Sequence, residues 1–175
     1  MQKESEMDLK NHVRTFPDFP KPGILFYDIS TLLKNKEAWK ETVNQMANLI
    51  RPYQPDVVFG IEARGFLIAA PVAYALGCGF AMVRKREKLP GERLSHTYAL
   101  EYGEDTLEIQ PDAASPGDNV VIVDDLLATG GTLEAAIQLL SRLDVNICGA
   151  ACIIELIDLN GKKNINSPVD SLISY

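Results

Sequence analysis

Two adjacent carboxylates followed by a small-residue loop, Asp124-Asp125-Leu126-Leu127-Ala128-Thr129-Gly130-Gly131-Thr132, are the residues of this chain best suited to chemistry. Ionised aspartates only accept hydrogen bonds, so they suit a partner that donates, such as a sugar diol. The loop suits an anion. A phosphate needs several N–H donors and a positive potential. Gly130 and Gly131 let the backbone approach and adopt positive φ, and Thr129 and Thr132 add hydroxyls. A helix starting at Thr132 supplies free N–H groups and the positive end of its dipole. Carboxylates repel a phosphate at close range, so the acids must grip another part of the same molecule. A ribose 5-phosphate unit meets both demands. Thr-Gly-Gly-Thr alone is no more than a turn capping a helix; the acid pair in front of it makes it a site. No Gly-Lys-Ser or Gly-Lys-Thr follows Gly131, which excludes a Walker loop, and the first strand-turn-helix lacks the dinucleotide fingerprint.

Two further segments carry positive charge. Gly60-Ile61-Glu62-Ala63-Arg64-Gly65 again reads strand, small loop, helix, and it offers Arg64 as a fork-shaped donor for a second anion. Arg84-Lys85-Arg86-Glu87-Lys88 is the densest positive cluster in a chain of formal net charge −7. Each alone would read as solvated surface charge. Beside a site for a polyanion they read as its positive wall.

These residues meet only if strands and helices bring their loops together. Val120 to Val123 is an apolar, β-branched run, expected of a strand buried on both faces of a parallel sheet, and such sheets bind ligands at the carboxyl ends of their strands. Leu133, Ala136, Ile137, Leu140 and Leu143 share one helical face. Further strands are expected at Val57 to Phe59, stopping at Gly60, at Phe80 to Val83, Asn146 to Ile154 and Ser171 to Tyr175. Helices are expected over Glu6 to Arg14, Lys36 to Ile50 and Phe66 to Leu76; Pro71 means that the last either starts later or bends. Thr97 to Glu101 and Thr106 to Ile109 alternate as an antiparallel pair, and Lys88 to Ser95, with Pro90-Gly91, reads as a mobile loop. Phe16 to Gly23 carries three prolines and must be extended or turning, with Ile24 to Ile29 as a short strand. The alternation predicts an α/β fold with a parallel sheet flanked by helices.

The 175 residues fit one domain, and 46% hydrophobic content is normal for a globular protein. No apolar run is long enough to span a membrane, and the N-terminus lacks a signal-peptide pattern. The acidic balance argues against nucleic acid as a partner. Cys78, Cys148 and Cys152 read as reduced core thiols, and two histidines without a Cys-x-x-Cys argue against a zinc site.

The acid-pair string resembles the phosphoribosyl-diphosphate signature of the type I phosphoribosyltransferases. Phe16-Pro17-Asp18-Phe19-Pro20-Lys21-Pro22-Gly23-Ile24-Leu25-Phe26, Glu62-Ala63-Arg64-Gly65-Phe66, Arg84 to Gly91 and Leu100-Glu101-Tyr102-Gly103 are similar to the adenine branch of that family in order and spacing, from about Val13 to the last strand. The resemblance implies one domain over 1–175, with a small N-terminal hood at about 13–35 over the base and a flexible hairpin loop. It implies that Asp124 and Asp125 hold the ribose and that Ala128, Thr129, Gly130, Gly131 and Thr132 hold the 5-phosphate. Arg64, Lys85 and Lys88 then meet the pyrophosphate, some basic residues serving the neighbouring subunit. Phe26 stacks on adenine while the backbone of Leu25 and Tyr27 reads its edge. Relatives often carry Arg at the position of Tyr27; a main-chain contact survives that change. Glu101 takes part in proton transfer, and Tyr102 belongs to the closing loop. Mg²⁺ is implied as cofactor, bound mainly through substrate and water rather than by protein ligands. A cytoplasmic homodimer acting in purine salvage, with adenine and 5-phosphoribosyl 1-diphosphate as substrates, is the family expectation. The alternatives are a 6-oxopurine phosphoribosyltransferase and a non-catalytic sensor of phosphoribosyl diphosphate or nucleotide on the same fold.

Overall fold

A computed structural model of the chain describes residues 7–99 and 103–175. Strands β1 (Arg14–Pro17) and β2 (Leu25–Asp28) form a separate antiparallel ribbon, and helices α1 (Ser30–Lys34) and α2 (Lys36–Ile50) follow it. Next come β3 (Val57–Ile61), α3 (Arg64–Leu76), β4 (Gly79–Lys85), β5 (Leu94–Ala99), β6 (Glu104–Ile109), β7 (Asn119–Leu127), α4 (Gly131–Leu140), β8 (Asn146–Glu155) and β9 (Val169–Ser174). The main sheet runs β5-β6-β4-β3-β7-β8-β9. Its β4-β3-β7-β8-β9 part is parallel, and β6 and β5 add an antiparallel margin.

This order sets the site. The crossover from β3 through α3 leads to β4 on one side, while that from β7 through α4 leads to β8 on the other. Adjacent parallel strands whose connections depart in opposite directions leave a crevice beyond their carboxyl ends. The loops at Glu62 and Ala128 open into that crevice.

The apolar run of β7 behaves as its composition predicts. Val121 and Val123 pack with Ile68, Val72 and α2 on one face, while Val120 and Ile122 pack with Leu133, Ala136 and Leu140 on the other. Such burial stabilises by about 1.5–3 kcal/mol per large aliphatic side chain. Helix α2 starts where Asn35 Oδ1 accepts hydrogen bonds from the N–H groups of Glu37 and Ala38, and it buries Ala38, Thr42, Met46 and Ile50 at helical spacing.

Three expectations are corrected. The chain from Leu9 to His12 is a short 3-10 turn, and Arg14 already belongs to β1; no helix extends over Glu6 to Arg14 among the described residues. Strand β3 continues through Gly60 to Ile61. Gly60 is required by packing, since a Cβ there would lie 2.9 Å from Ala69 Cβ and 3.1 Å from Phe80. Helix α3 begins at Arg64, earlier than Phe66, and Pro71 lies inside it. Among the described residues, no helix is long and apolar enough to cross a membrane.

Candidate active site

The turn after β7 is held backbone against backbone. Gly130 has φ +87°, and a side chain there would run into the carbonyl of Gly161, while one at Gly161 would run into the carbonyl of Ala128. Asn164 Nδ2 donates to Thr129 O at 3.1 Å. With its path fixed, the turn delivers Gly131 to the first turn of α4. Tyr98 of β5 and Thr132 share a hydrogen bond of 3.2 Å between their hydroxyls.

Ala128 to Thr132 line a cleft of about 350 Å³ together with Asp124, Asp125, Arg64 and Lys85. Both acids lie within β7 rather than beyond its end. Asp124 Oδ1 accepts from the Asp125 N–H at 2.9 Å. Arg64 Nε lies 3.1 Å from Asp125 Oδ2 as an ion pair without hydrogen-bond geometry, so that oxygen is buried with its lone pairs unused. Burial raises both carboxyl pKa values. At Asp124 the charge of Asp125 pushes the same way, and at Asp125 the Arg64 guanidinium pulls back. Gly65 allows this closeness, because a Cβ would sit 2.8 Å from Val123 O and 3.1 Å from Asp124 Oδ1.

The positive wall is ordered by acids that the sequence reading gave no role. Glu62 accepts from Arg84 Nε at 3.0 Å, Arg84 Nη2 at 3.2 Å and the Lys85 N–H at 2.8 Å. The Arg84 hydrogen bonds pull the Glu62 pKa down against its burial. Lys85 reaches the cleft paired with Asp105 of β6; burial opposes its charge, but the Asp105 hydrogen bond together with the charges of Tyr98, Asp105 and Asp124 raises the ammonium pKa. Lys88 is not brought to the cleft: it stands exposed, its carbonyl accepting from Arg84 Nη1 at 3.3 Å.

Arg64 also joins the cleft to the hood. Its guanidinium carbon lies 5.3 Å from the centre of the Phe26 ring, which meets Phe19 edge-on at 5.1 Å. Leu25, Phe26 and Tyr27 line a second pocket of about 610 Å³ with Arg64, Leu126, Ala128 and Tyr175. Leu25, Phe26 and Tyr27 are thus brought beside the acid pair's cleft through Arg64. Glu101 and Tyr102 lie outside the described residues. Sequence reasoning missed Gly161, Asp105 and Tyr175. None stands in a motif, and only the turn-forming Asn160-Gly161 pair could have drawn attention.

A family model described as the phosphoribosyl transferase domain matches residues 28–173. The adenine phosphoribosyltransferase of Rhodospirillum centenum is 60% identical over 169 residues, which cover 97% of this chain and 99% of that protein. Among solved structures, the adenine phosphoribosyltransferase of Thermoanaerobacter pseudethanolicus matches with a TM-score of 0.93 at 45% identity, covering 95% of this chain and 98% of the other. The Saccharomyces cerevisiae enzyme, complexed with adenine and an imino-altritol bisphosphate, matches with a TM-score of 0.90 at 39% identity over 94% of this chain and 96% of its own. With the family model spanning most of the chain and the likeness running over nearly its full length, the chain belongs to the adenine phosphoribosyltransferase family.

Proposed function

We propose that this chain transfers the 5-phosphoribosyl group from 5-phosphoribosyl 1-diphosphate to adenine, giving AMP and pyrophosphate in purine salvage. The observation that carries the reading is the continuity of two spaces. The cleft of Asp124, Asp125 and the glycine turn and the pocket of Phe26 share Arg64, Leu126 and Ala128 in their walls, so a nucleotide's phosphate, sugar and base each meet suitable groups. The full-length likeness to adenine enzymes, one of them complexed with adenine, favours this base over 6-oxopurines and catalysis over sensing.

The 5-phosphate sits in the turn from Ala128 to Thr132, where the N–H groups of α4 meet it. The ribose hydroxyls donate to Asp124 and Asp125. To reach Asp125 the diol displaces Arg64, and the freed guanidinium turns to the diphosphate alongside Lys85, with Lys88 joining from its loop. As the bond to the diphosphate breaks, the sugar carbon gains oxocarbenium character, which the two carboxylates favour. Adenine stacks on Phe26. Its amino donor and N1 acceptor match a backbone acceptor and donor at Leu25 and Tyr27, a pair that hypoxanthine and guanine reverse. Glu101 takes the proton that the adenine imidazole must lose, and the segment with Tyr102 excludes water; the family likeness of Leu100-Glu101-Tyr102-Gly103 supports both roles.

The acid pair offers hard oxygens, one of them unused. This fits Mg²⁺ held mainly by diphosphate oxygens and water, with Asp124 and Asp125 orienting that shell. When bound, Mg²⁺ neutralises charge developing on the leaving pyrophosphate. The whole chain, with residues 13–35 as its hood, acts as one unit in a cytoplasmic homodimer.

Turnover assays across adenine, hypoxanthine, guanine and orotate test the reading. Adenine is expected to be converted with a kcat/KM at least about 10³-fold above the others, given the mismatch of buried hydrogen bonds. Comparable conversion of hypoxanthine, or tight nucleotide binding without turnover, would refute it.

A further inference from the structure

The hood is a two-stranded ribbon, and such a ribbon has little stability of its own. Its position over the base pocket must come from side chains that reach the body of the protein. Successive residues of a strand point to opposite faces, so Tyr27 leaves β2 on the side opposite Phe26. Its ring meets that of Tyr175 with centroids 4.4 Å apart and planes at 38°. Both rings are half-buried against the core that α2 and α3 make with the sheet.

Tyr175 is itself fixed to the sheet. Its N–H donates to Glu155 O at 2.9 Å, and its carbonyl accepts from the Ile157 N–H at 2.8 Å. Lys10 Nζ lies 5.1 Å from the centre of its ring. One ring therefore belongs to the sheet and the other to the hood, and both residues line the pocket that Leu25 and Phe26 share. No motif and no part of the acid-pair chemistry uses either ring.

We infer that Tyr175 is a specificity-determining residue: stacked on Tyr27, it sets the height of the β2 backbone over the sheet end, and with it the alignment of the main-chain groups of Leu25 and Tyr27 with the base edge. The inference rests on the adenine reading above. Hydrogen bonds weaken steeply once misaligned, so a hood that drifts loses base affinity and base choice together. The sugar diphosphate, held at the far end by the glycine turn, is not affected.

The test uses the full chain. Tyr175→Ala is expected to raise the KM for adenine about tenfold and to lower the adenine-over-hypoxanthine ratio of kcat/KM about tenfold, leaving the KM for phosphoribosyl diphosphate within about twofold. Tyr27→Ala should do the same. The double variant should be no worse than the worse single one, because each truncation already removes the stack. Tyr175→Phe should recover most of the loss, since the ring and not the hydroxyl makes the contact. If Tyr175→Ala does not fold, Tyr175→Leu keeps apolar bulk without the flat ring and carries the same expectations. A parallel rise of both KM values, an unchanged base ratio or additive single effects would overturn the inference while leaving the adenine reading intact. A wild-type chain that fails to convert adenine would end both.

Discussion

The cleft at the ends of β3 and β7 and the hood above it, to which the proposed reading gives the two ends of one nucleotide, are built in opposite ways. The cleft is backbone locked on backbone. Gly130 sits against the Gly161 carbonyl, Gly65 against β7, and the two acids lie inside a strand whose preceding residues Val120 to Val123 are fully buried. The hood is side chain on side chain, with Phe16, Phe19 and Leu25 each more than 40% exposed and one tyrosine pair on the sheet side. An anion needs many donors at fixed distance, which only a rigid backbone supplies. A flat base needs one ring and two main-chain groups, which a small ribbon can bring and withdraw. Substitutions at the cleft's backbone-locked glycines should therefore strike stability and activity together, and those in the hood activity alone.

Gly130→Val should have the largest effect. A branched residue at φ +87° is strained, and its side chain meets the Gly161 carbonyl. A loss of about 3–5 kcal/mol, or about 10 °C in Tm, should accompany lost AMP affinity, read by thermal melts and calorimetry. Retained affinity would remove the turn from phosphate binding. Asp125→Asn comes next, with kcat/KM falling about 10²–10³-fold and Tm moving by less than about 3 °C. Unchanged kcat/KM would take the acid pair out of the mechanism.

Phe26→Ala probes the hood. Stacking of a base on an aromatic ring is worth about 1–3 kcal/mol, so the KM for adenine should rise about tenfold or more while that for the sugar diphosphate stays within about twofold. Because Phe26 packs on Phe19 and Arg64 rather than in the core, Tm should hardly move. Equal losses for both substrates, or a large fall in Tm, would erase the contrast between hood and cleft.

The same contrast explains what could be read from the sequence. The cleft's elements follow from local rules: the β-branched run of Val120 to Val123, the apolar face of α4 and the glycines between them occupy consecutive residues. What escaped depends on contacts between distant segments. Gly60 reads as a strand end because glycine weakens strands, yet it serves helix packing against Ala69. Gly161 locks a turn thirty residues before it, and Asp105 orders Lys85 across the sheet margin. Lys88 carries the same charge as Lys85, but β4 ends at Lys85, and Lys88 stands exposed on the loop beyond, where it does not line the cleft. The stretch expected as a helix from Glu6 to Arg14 buries Leu9 against the core but, among its described residues, winds only into a 3-10 turn, and β1 takes its end for the hood. The stacking role proposed for Phe26 is legible only through family likeness, since an aromatic residue in an apolar stretch is otherwise core.

The effect of Asp124→Asn on stability is small, and its sign is opposite to that of Gly130→Val. Burial and the neighbouring Asp125 hold the Asp124 pKa well above its ordinary value. A carboxyl whose folded pKa exceeds its unfolded one is penalised while ionised, and folding then favours uptake of a proton. The penalty is therefore full above the folded pKa and fades as pH falls through it towards the unfolded value. Asparagine is never charged and keeps an Oδ1 to accept from the Asp125 N–H. At neutral pH the variant should melt about 2–4 °C above the wild type, equivalent to about 1 kcal/mol. The gain should shrink as the buffer is made more acidic. Asp125→Asn should gain less, because its ionised form already has Arg64 beside it. Paired melts of the three proteins from pH 8 to pH 5 measure the difference directly. A Tm gain that is absent at neutral pH, or that grows on acidification, would mean that Asp124 is not held at the expense of stability, and the cleft would lose its distinction as the strained half of the molecule.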